Sequence, residues 1–324
     1  MNFTIDIGLN ARPTLRLVDE RGDVHLGFIW GAGLVSGFFE KYNAAGGGLL
    51  VFAGLVFGGR LRDAAAITAA CGAFVVFCVL SGAIYLFNDI ADREADTRHP
   101  LKRTRPIAAG DLSVRTALLL GVVLAGGGVV AAFTLSVPFG VLAAAYVAAL
   151  TLYSTVLKHA VIVDVLTIAA GFLLRAIAGA VVVLVPISNW LLICTTLLAL
   201  FLALSKRRHE LMLLADGAVD HRPILEEYSP YLLDQMIGVV TSSTLIAYTV
   251  YATSQDTAAR LGTTRLGLTI PFVLYGIFRY LYLVHQKRGG GSPATMLVSD
   301  RPLLVCVALW VTSVVLLLYT PLGR

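Results

Sequence analysis

The chain alternates between long apolar stretches and short polar connections. In most of these stretches both faces of a helix would be hydrophobic, which is typical of helices surrounded by lipid. The pattern therefore predicts an all-α polytopic membrane protein, built as one bundle of nine transmembrane helices. The predicted spans cover about 46–59, 64–87, 114–134, 137–156, 160–184, 188–205, 236–253, 267–284 and 302–320.

The first apolar stretch is the weakest of the nine. It either begins near residue 46 or begins earlier, near Leu26, with Gly46-Gly47-Gly48 as an interruption. The pattern therefore divides the chain into an N-terminal segment over 1–45, without a clear structural signal, and one transmembrane domain over 46–324.

The composition excludes a soluble domain. Of the 324 residues, 57% are hydrophobic and only 14% are charged, and the mean hydropathy is +0.81.

The four cysteines lie within apolar runs without a CxxC pair, which indicates buried apolar side chains rather than metal ligands or disulfides. A net charge of +5 gives no reason to expect a nucleic-acid partner, and the oligomeric state stays open, a homo-oligomer included.

Lysine and arginine are distributed unevenly between the two sets of loops. Only Arg60, Arg62, Arg260, Arg265 and Arg324 fall on one side. Because positive residues concentrate on the cytoplasmic side, the other loops, the N-terminus and the active site are predicted to be cytoplasmic in the plasma membrane, with the C-terminus outside. The cytoplasmic set contains Arg93, Arg98, Lys102, Arg103, Arg105, Lys158, Lys206, Arg207, Arg208, Arg222, Lys287, Arg288 and Arg301.

Three aspartates follow the second apolar stretch. Asp89, Asp92 and Asp96 are three and four residues apart, so a helix places them on one face, with Asn88 beside them. Carboxylates this close repel one another unless a cation lies between them, and Mg²⁺ prefers such hard oxygen ligands. The motif therefore predicts a Mg²⁺ site, ligated by the three aspartates, that handles a diphosphate at the membrane surface.

Several cations accompany this acidic motif. Lys102, Arg103 and Arg105 follow it closely and are candidates to neutralise phosphate charge left over by the metal. Plain positive-inside topology is the simpler alternative for them. Lys206 and Arg207, at the predicted end of the sixth span, are either phosphate ligands or a generic basic flank.

Two ionisable residues fall inside the fifth span. Asp164 is followed by about ten apolar residues, and Arg175 lies eleven residues further, about three turns deeper. Ionisable groups at such depth are functional by default. Arg175 either pairs with an acid on another helix or binds an anionic group of a substrate, and the sequence leaves both alternatives open.

The motif Asn-Asp-x-x-Asp-x-x-x-Asp at the end of the second span of a nine-helix bundle resembles the UbiA prenyltransferase superfamily. The finer blocks resemble its branch of decaprenyl-phosphate phosphoribosyltransferases, over about residues 50 to 320. Those blocks are His99-Pro100-x-Lys102-Arg103-x-Arg105-Pro106, Tyr153 with Leu157-Lys158-His159, Leu174-Arg175-Ala176, and Lys206-Arg207 with Glu210-Leu211.

The resemblance implies a membrane-embedded, Mg²⁺-dependent glycosyltransferase. It would transfer 5-phosphoribose from phosphoribosyl diphosphate to a polyprenyl phosphate and release diphosphate. The implied catalytic residues are Asp89, Asp92, Asp96 and Lys158, of which the three aspartates hold the metal. The implied substrate-binding residues are Asn88, Lys102, Arg103, Arg105, Tyr153, Asp164, Arg175, Lys206 and Arg207.

Two alternatives and one departure accompany this interpretation. An aromatic prenyltransferase of quinone or haem pathways would carry a second aspartate pair, and here the second block offers only Asp164. A non-enzymatic carrier would place acids at both faces, whereas the charges lie mostly on one side. The family's opening motif, Arg-Pro-x-Gln-Trp-x-Lys-Asn, is missing over residues 38–48, where Lys41 and Asn43 are shifted substitutes. If the family lysine contacts substrate, the enzyme is expected to be weak or inactive.

Overall fold

The computed structural model describes residues 48–98, 102–186, 188–215, 223–287, 291 and 293–321. These residues form helices and connecting turns, and none of them forms a strand. Eight helices are long and apolar enough to cross a membrane, so the protein is an integral multi-pass membrane protein. We label them α1 (Ala64–Ala91), α2 (Val114–Leu135), α3 (Val137–Thr155), α4 (Val163–Val182), α5 (Asn189–Ala215), α6 (Pro230–Thr253), α7 (Ile270–Gln286) and α8 (Arg301–Tyr319).

Shorter helices fill the connections. Five are α-helical: Ala53–Phe57, Arg93–Arg98, Pro106–Ala109, Gln255–Leu261 and Pro293–Ser299. Five are 3₁₀ turns: Leu49–Phe52, Lys102–Thr104, Leu157–His159, Pro223–Glu227 and Arg265–Thr269.

Polar residues at the start of the long helices define where they begin. The side chains of Asp63, Ser113, Ser136, Ser229 and Asp300 each accept a hydrogen bond from a backbone N–H in the first turn of α1, α2, α3, α6 and α8, respectively. Such caps satisfy donors that a helix end otherwise leaves unpaired in an apolar environment. Short polar segments between the apolar runs therefore act as helix starts.

Eight of the nine predicted spans correspond to the eight long helices, with three corrections at their ends. α1 runs on to Ala91, so Asn88 and Asp89 belong to its last turn. α5 continues to Ala215, so the expectation of a loop after residue 205 is wrong. α6 begins at Pro230, six residues before its prediction, because Ser229 caps it there.

The first predicted span is described only from residue 48. Its described part is the 3₁₀ turn Leu49–Phe52 and the helix Ala53–Phe57. This segment packs closely against α4, where a Cβ atom on Gly179 would lie 2.0 Å from the carbonyl oxygen of Val51. Glycine is therefore required at this crossing. The proposed N-terminal segment, residues 1–45, lies outside the described residues.

Among the hydrophobic clusters of the described residues, α4 contributes to the two largest. One cluster joins α1, α2, α3 and α4, and contains Phe77, Phe139 and Tyr146. The other joins α4 to α5, α6, α7 and α8, and contains Val165 and Phe201. Because α4 lies between the clusters, side chains near its first turn reach groups from both halves of the bundle.

Candidate active site at the polar end of the bundle

The ion pairs between different helices and loops gather at one end of the bundle. Successive long helices alternate in direction, so α1, α3, α5 and α7 end where α2, α4, α6 and α8 begin. We call this the polar end. Of the ion pairs described, only Arg60–Asp63, within one turn of chain, belongs to the opposite end. The pairs at the polar end are Arg105–Asp89, Arg105–Asp96, Lys158–Asp92, Arg207–Asp164, Arg207–Glu210, Arg208–Asp234, His285–Asp234 and Arg279–Asp300.

The first part of the site centres on Arg105. One of its terminal nitrogens, Nη1, lies 2.8 Å from Asp89 Oδ1 and 2.8 Å from Asp96 Oδ2. Asp89 closes the last turn of α1, and Asp96 lies on the short helix Arg93–Arg98 that follows. Both aspartates are buried, whereas the Arg105 side chain keeps 22% of its surface exposed. A single accessible guanidinium therefore holds two buried carboxylates together.

Asp92, between these two aspartates, is held by a different cation. Lys158 Nζ lies 2.5 Å from its Oδ1, and the amide of Asn88 donates to its Oδ2 at 3.0 Å. Lys158 comes from the 3₁₀ turn between α3 and α4 and is itself buried. We call these six residues, Asn88, Asp89, Asp92, Asp96, Arg105 and Lys158, the outer network.

The charge balance of the outer network is visible at Asp96. Burial raises the pKa of its carboxyl above the ordinary value, and the Arg105 guanidinium opposes this shift, with a smaller contribution from Lys102. Lys102 is partly buried near the carboxylates, whereas Arg103 is exposed. Arg105, one of the three predicted cations in this segment, therefore contacts two of the acids directly.

The three aspartates do not surround a common point. Among the residues that the structure describes, no group of three His, Cys, Asp or Glu side chains is arranged to hold a metal ion. The donors fit a hard cation in chemistry, because they are carboxylates on adjacent turns, and in this structure Arg105 bridges two of them while Lys158 binds the third. Each of the three aspartates therefore lies beside a basic side chain of the protein.

The second part of the site is a buried cluster around Arg207. Its Nε donates to Asp164 Oδ2 at 2.7 Å, and its terminal nitrogens donate to Glu210 at 2.6 Å and to the Tyr153 hydroxyl at 3.0 Å. The Tyr228 hydroxyl donates to the other oxygen of Asp164 at 2.9 Å. Asp164 has no exposed surface, and the Arg207 side chain keeps 2%. We call these five residues the inner network.

Tyr228 was not singled out as a site residue from the sequence. Besides binding Asp164, its hydroxyl accepts a hydrogen bond of 2.7 Å from the backbone N–H of Ile162. Ile162 precedes α4 with a φ of 69°, a conformation that a β-branched residue rarely adopts. Burial, together with the bond to Asp164, raises the pKa of Tyr228 to about 12, so the hydroxyl remains a donor at physiological pH.

Lys206 and Arg207 are adjacent but point differently. Both lie in α5, where successive side chains are about 100° apart. Arg207 is buried against Asp164, whereas Lys206 is exposed. The two were predicted together as phosphate ligands or a generic basic flank at a helix end, and the structure places Arg207 in the cluster with Asp164 and Glu210.

Arg175 lies deeper in the bundle, and it contacts hydroxyls and rings. It donates to the Tyr146 hydroxyl and, at 3.5 Å, to Ser81, while its guanidinium carbon lies 4.8 Å from the centre of the Tyr146 ring and 5.2 Å from that of Phe172. Within the described part of the chain, no carboxylate lies at ion-pairing distance from it. The alternative that Arg175 pairs with an acid on another helix is therefore not what the structure shows.

The polar end thus combines two kinds of group. Its acids could ligate one metal ion, and its cations could bind phosphate groups. The outer network can exchange partners, because Arg105 and Asp92 retain exposed surface. A site with these acids and cations suits a reaction that brings two anionic groups together.

Some residues singled out in the sequence lie outside the described residues. They are residues 38–47, which depart from the family's opening motif, and His99 and Pro100.

Comparison with known proteins identifies relatives over most of the chain. The profile of the UbiA prenyltransferase family matches residues 48–323. The chain is 35% identical over 251 residues to a decaprenyl-phosphate phosphoribosyltransferase of Mycolicibacterium smegmatis, covering 75% of this chain and 78% of that one. It is 34% identical over 251 residues to a protein of the same name from Corynebacterium glutamicum, covering 76% and 75%, respectively.

The fold also matches solved structures. A UbiA homologue from Archaeoglobus fulgidus, solved with DMAPP and Mg²⁺ bound, superposes with a TM-score of 0.63 over 84% of this chain and 96% of that one. The two sequences are 16% identical. This likeness confirms the predicted fold class.

Proposed function

The chain belongs to the UbiA prenyltransferase family and is a membrane-embedded transferase, and from this premise we propose that it transfers 5-phosphoribose from phosphoribosyl diphosphate to a polyprenyl phosphate, releasing diphosphate. Relatives with 34–35% identity over three quarters of the chain carry the name decaprenyl-phosphate phosphoribosyltransferase. The observation that most strongly supports the proposal is the outer network, in which three carboxylates face two cations at one end of the bundle.

The residues that would hold Mg²⁺ are Asp89, Asp92 and Asp96. Bound there, the metal would supply electrostatic stabilisation to the departing diphosphate. Arg105 and Lys158 would have a second task in this proposal, since both lie beside the carboxylates that would hold the metal. Their positive charges would bind the phosphate oxygens of the donor, because cations and phosphates pair strongly.

The bonds formed and broken in the proposed transfer balance without a general acid or a general base. An oxygen of the acceptor phosphate forms a bond to ribose C1, while the bond from C1 to the diphosphate oxygen breaks and the diphosphate leaves with the electron pair. The acceptor oxygen is already an anion near neutral pH, so no proton has to be removed. The task of the protein is therefore to hold two anions in contact, which accounts for the number of cations at the polar end.

The polar end lies on the cytoplasmic side in this proposal. The excess of lysine and arginine at this end supports that orientation. It also gives the site access to phosphoribosyl diphosphate, a soluble and highly charged donor. Because α8 starts at the polar end, the chain then ends on the opposite side of the membrane.

The test is to incubate membranes that contain the protein with Mg²⁺, phosphoribosyl diphosphate labelled in the ribose, and decaprenyl phosphate. Label that enters the lipid phase and is lost when EDTA is added supports the proposal. The matched control is membranes with the Asp89→Asn variant, which are expected to transfer no label.

A second arm of the same experiment tests the aromatic prenyltransferase alternative. The same membranes receive an aromatic acid and a labelled polyprenyl diphosphate. If label enters the aromatic product and no phosphoribose reaches the lipid, the phosphoribosyltransferase proposal is wrong. If no labelled product forms in either arm, the region to test next is residues 38–48, where the sequence departs from the family motif.

A further inference from the structure

We propose that Arg175, with the hydroxyls of Ser81 and Tyr146, forms a separate binding site for the phosphate of the lipid acceptor, beneath the aspartates of the outer network. This inference rests on the proposed function, and it assigns the two substrates to different depths. Phosphoribosyl diphosphate would occupy the outer network, and the polyprenyl phosphate would present its phosphate to Arg175 from the membrane side.

The first argument is the charge of Arg175. The residue is 8% exposed, and its Nε has no hydrogen-bond partner although it is buried. Arg207, which is also buried, contacts both Asp164 and Glu210. A buried cation without a counter-ion is costly and occurs where a substrate supplies the missing charge.

The second argument is a polar stripe along α1. Ser81, Tyr85 and Asp89 are each four residues apart and therefore share one face of the helix. Ser81 and Asp89 are eight residues apart, so Arg175, which contacts Ser81, lies about 12 Å below Asp89 along the helix axis. Tyr85 lies between Ser81 and Asp89 on the same face of α1. The stripe thus links the two positions through the bundle.

The third argument is the chemistry of the two substrates. The donor is soluble and reaches the polar end from water. The acceptor carries a long hydrocarbon chain that stays in the bilayer, so its phosphate approaches from below. A metal, a diphosphate and a ribose together span roughly 10 Å, which matches the separation of Asp89 and Arg175 in scale. A cation at that depth can orient the acceptor oxygen towards ribose C1.

The rings around Arg175 do not remove the need for an anion. The faces of Tyr146 and Phe172 stabilise the guanidinium, and the Tyr146 hydroxyl accepts one of its hydrogens. These groups are neutral, so they orient the side chain and leave its full charge available. In this arrangement Tyr146 and Ser81 are positioning residues, whereas Arg175 contacts the substrate.

The experiment compares purified wild-type protein with Arg175→Met, Arg175→Lys and the control Arg279→Met. Arg279 is also an arginine of a membrane helix, but it forms an ion pair with Asp300, the residue that caps the start of α8. Equilibrium binding is measured with three probes: decaprenyl phosphate, decaprenol and phosphoribosyl diphosphate with Mg²⁺. Melting temperatures of all variants are recorded without ligand.

We expect Arg175→Met to weaken the binding of decaprenyl phosphate about ten- to a hundredfold, since a hydrogen-bonded charge is lost. Its binding of decaprenol and of the donor should match the wild type. Arg175→Lys should recover part of the loss, and Arg279→Met should change none of the three affinities.

Two results would overturn the inference. One is an equal or larger loss of donor binding in Arg175→Met, which would assign the residue to the diphosphate. The other is unchanged binding of all three probes with only a lower melting temperature, which would make Arg175 structural. If wild-type protein binds decaprenyl phosphate through Arg175 but transfers no phosphoribose, the proposed function fails and the binding site stands.

Discussion

The outer and inner networks contain similar groups but differ in how far water and ligands can reach them. In the outer network, Arg105 and Asp92 keep 22% and 18% of their side-chain surface exposed. In the inner network, Arg207 and Asp164 keep 2% and 0%. An ion pair with an exposed member can exchange partners at low cost, whereas a buried pair pays the full desolvation penalty when it is broken. The difference supports our proposal that the outer network binds ligands, whereas the inner one joins the two halves of the bundle.

The largest expected effect is the loss of the inner pair. Arg207→Met leaves Asp164 buried beside Tyr228 alone and should lower the free energy of unfolding by about 3–5 kcal/mol. Denaturant titration of the purified protein measures this. The control is Arg208→Met in the next position, because Arg208 pairs with the partly exposed Asp234 and should cost less than about 1 kcal/mol. Equal losses in the two variants would contradict the distinction between the networks.

The outer network should show the opposite behaviour, with activity lost and stability kept. Asp89→Asn removes one charge at the proposed metal and should reduce turnover about 10²- to 10³-fold. The measurement is the initial rate of label transfer to lipid, with the melting temperature as a check of folding. Asp63→Asn, the same change at the other end of α1, retains its helix cap and should be fully active. Wild-type turnover in Asp89→Asn would remove this residue from the site.

A third variant tests whether Arg105 substitutes for the metal. Without Arg105, Asp89 and Asp96 repel each other, so Arg105→Gln should melt at a lower temperature and gain several °C from Mg²⁺ alone. The wild type should gain less, since Mg²⁺ must first displace the guanidinium. Arg115→Gln, an exposed change at the start of α2, is the control. Equal Mg²⁺ responses in Arg105→Gln and wild type would show that Arg105 does not compete with the metal for the acids.

The smallest expected effect concerns Tyr228. Tyr228→Phe removes the hydroxyl shared by Asp164 and the Ile162 N–H and should cost about 1–3 kcal/mol of stability. The substitution should also change how the stability of the protein depends on pH in alkaline solution. Because the folded pKa of Tyr228 is raised to about 12, the folded state keeps the proton longer than the unfolded state, and stability falls as pH rises from about 10 to 12. The free energy of unfolding, measured across that pH range, should therefore fall less steeply in Tyr228→Phe than in the wild type.

The sequence predicts much of the fold because long apolar runs carry their own signal. Eight spans, their order and the end of the bundle that gathers charge follow from hydropathy and from the distribution of lysine and arginine. Contacts within one segment are also predictable. Arg105 lies sixteen residues after Asp89 in a single loop, and the acids were expected to need a cation.

Contacts between distant segments are not predictable in this way. Lys158 meets Asp92 across 66 residues, and Arg207 meets Asp164 across 43. Whether Arg207 or its neighbour Lys206 faces inward depends on the rotation of α5, which is set by packing against α4 and α6. The partners of Arg175 were missed for the same reason, although the spacing of Ser81, Tyr85 and Asp89 was available as a signal.

The φ of 69° at Ile162 has a practical consequence for handling the protein. A left-handed conformation costs a non-glycine residue about 1–2 kcal/mol, and the Ile162 side chain, which is 43% exposed, returns little of this by packing. Position 162 is therefore a natural place for engineering, since glycine adopts positive φ angles without the steric cost of a Cβ atom. A variant without the backbone strain at position 162 would be more stable during extraction into detergent. It would therefore be better suited to crystallisation or inhibitor screening.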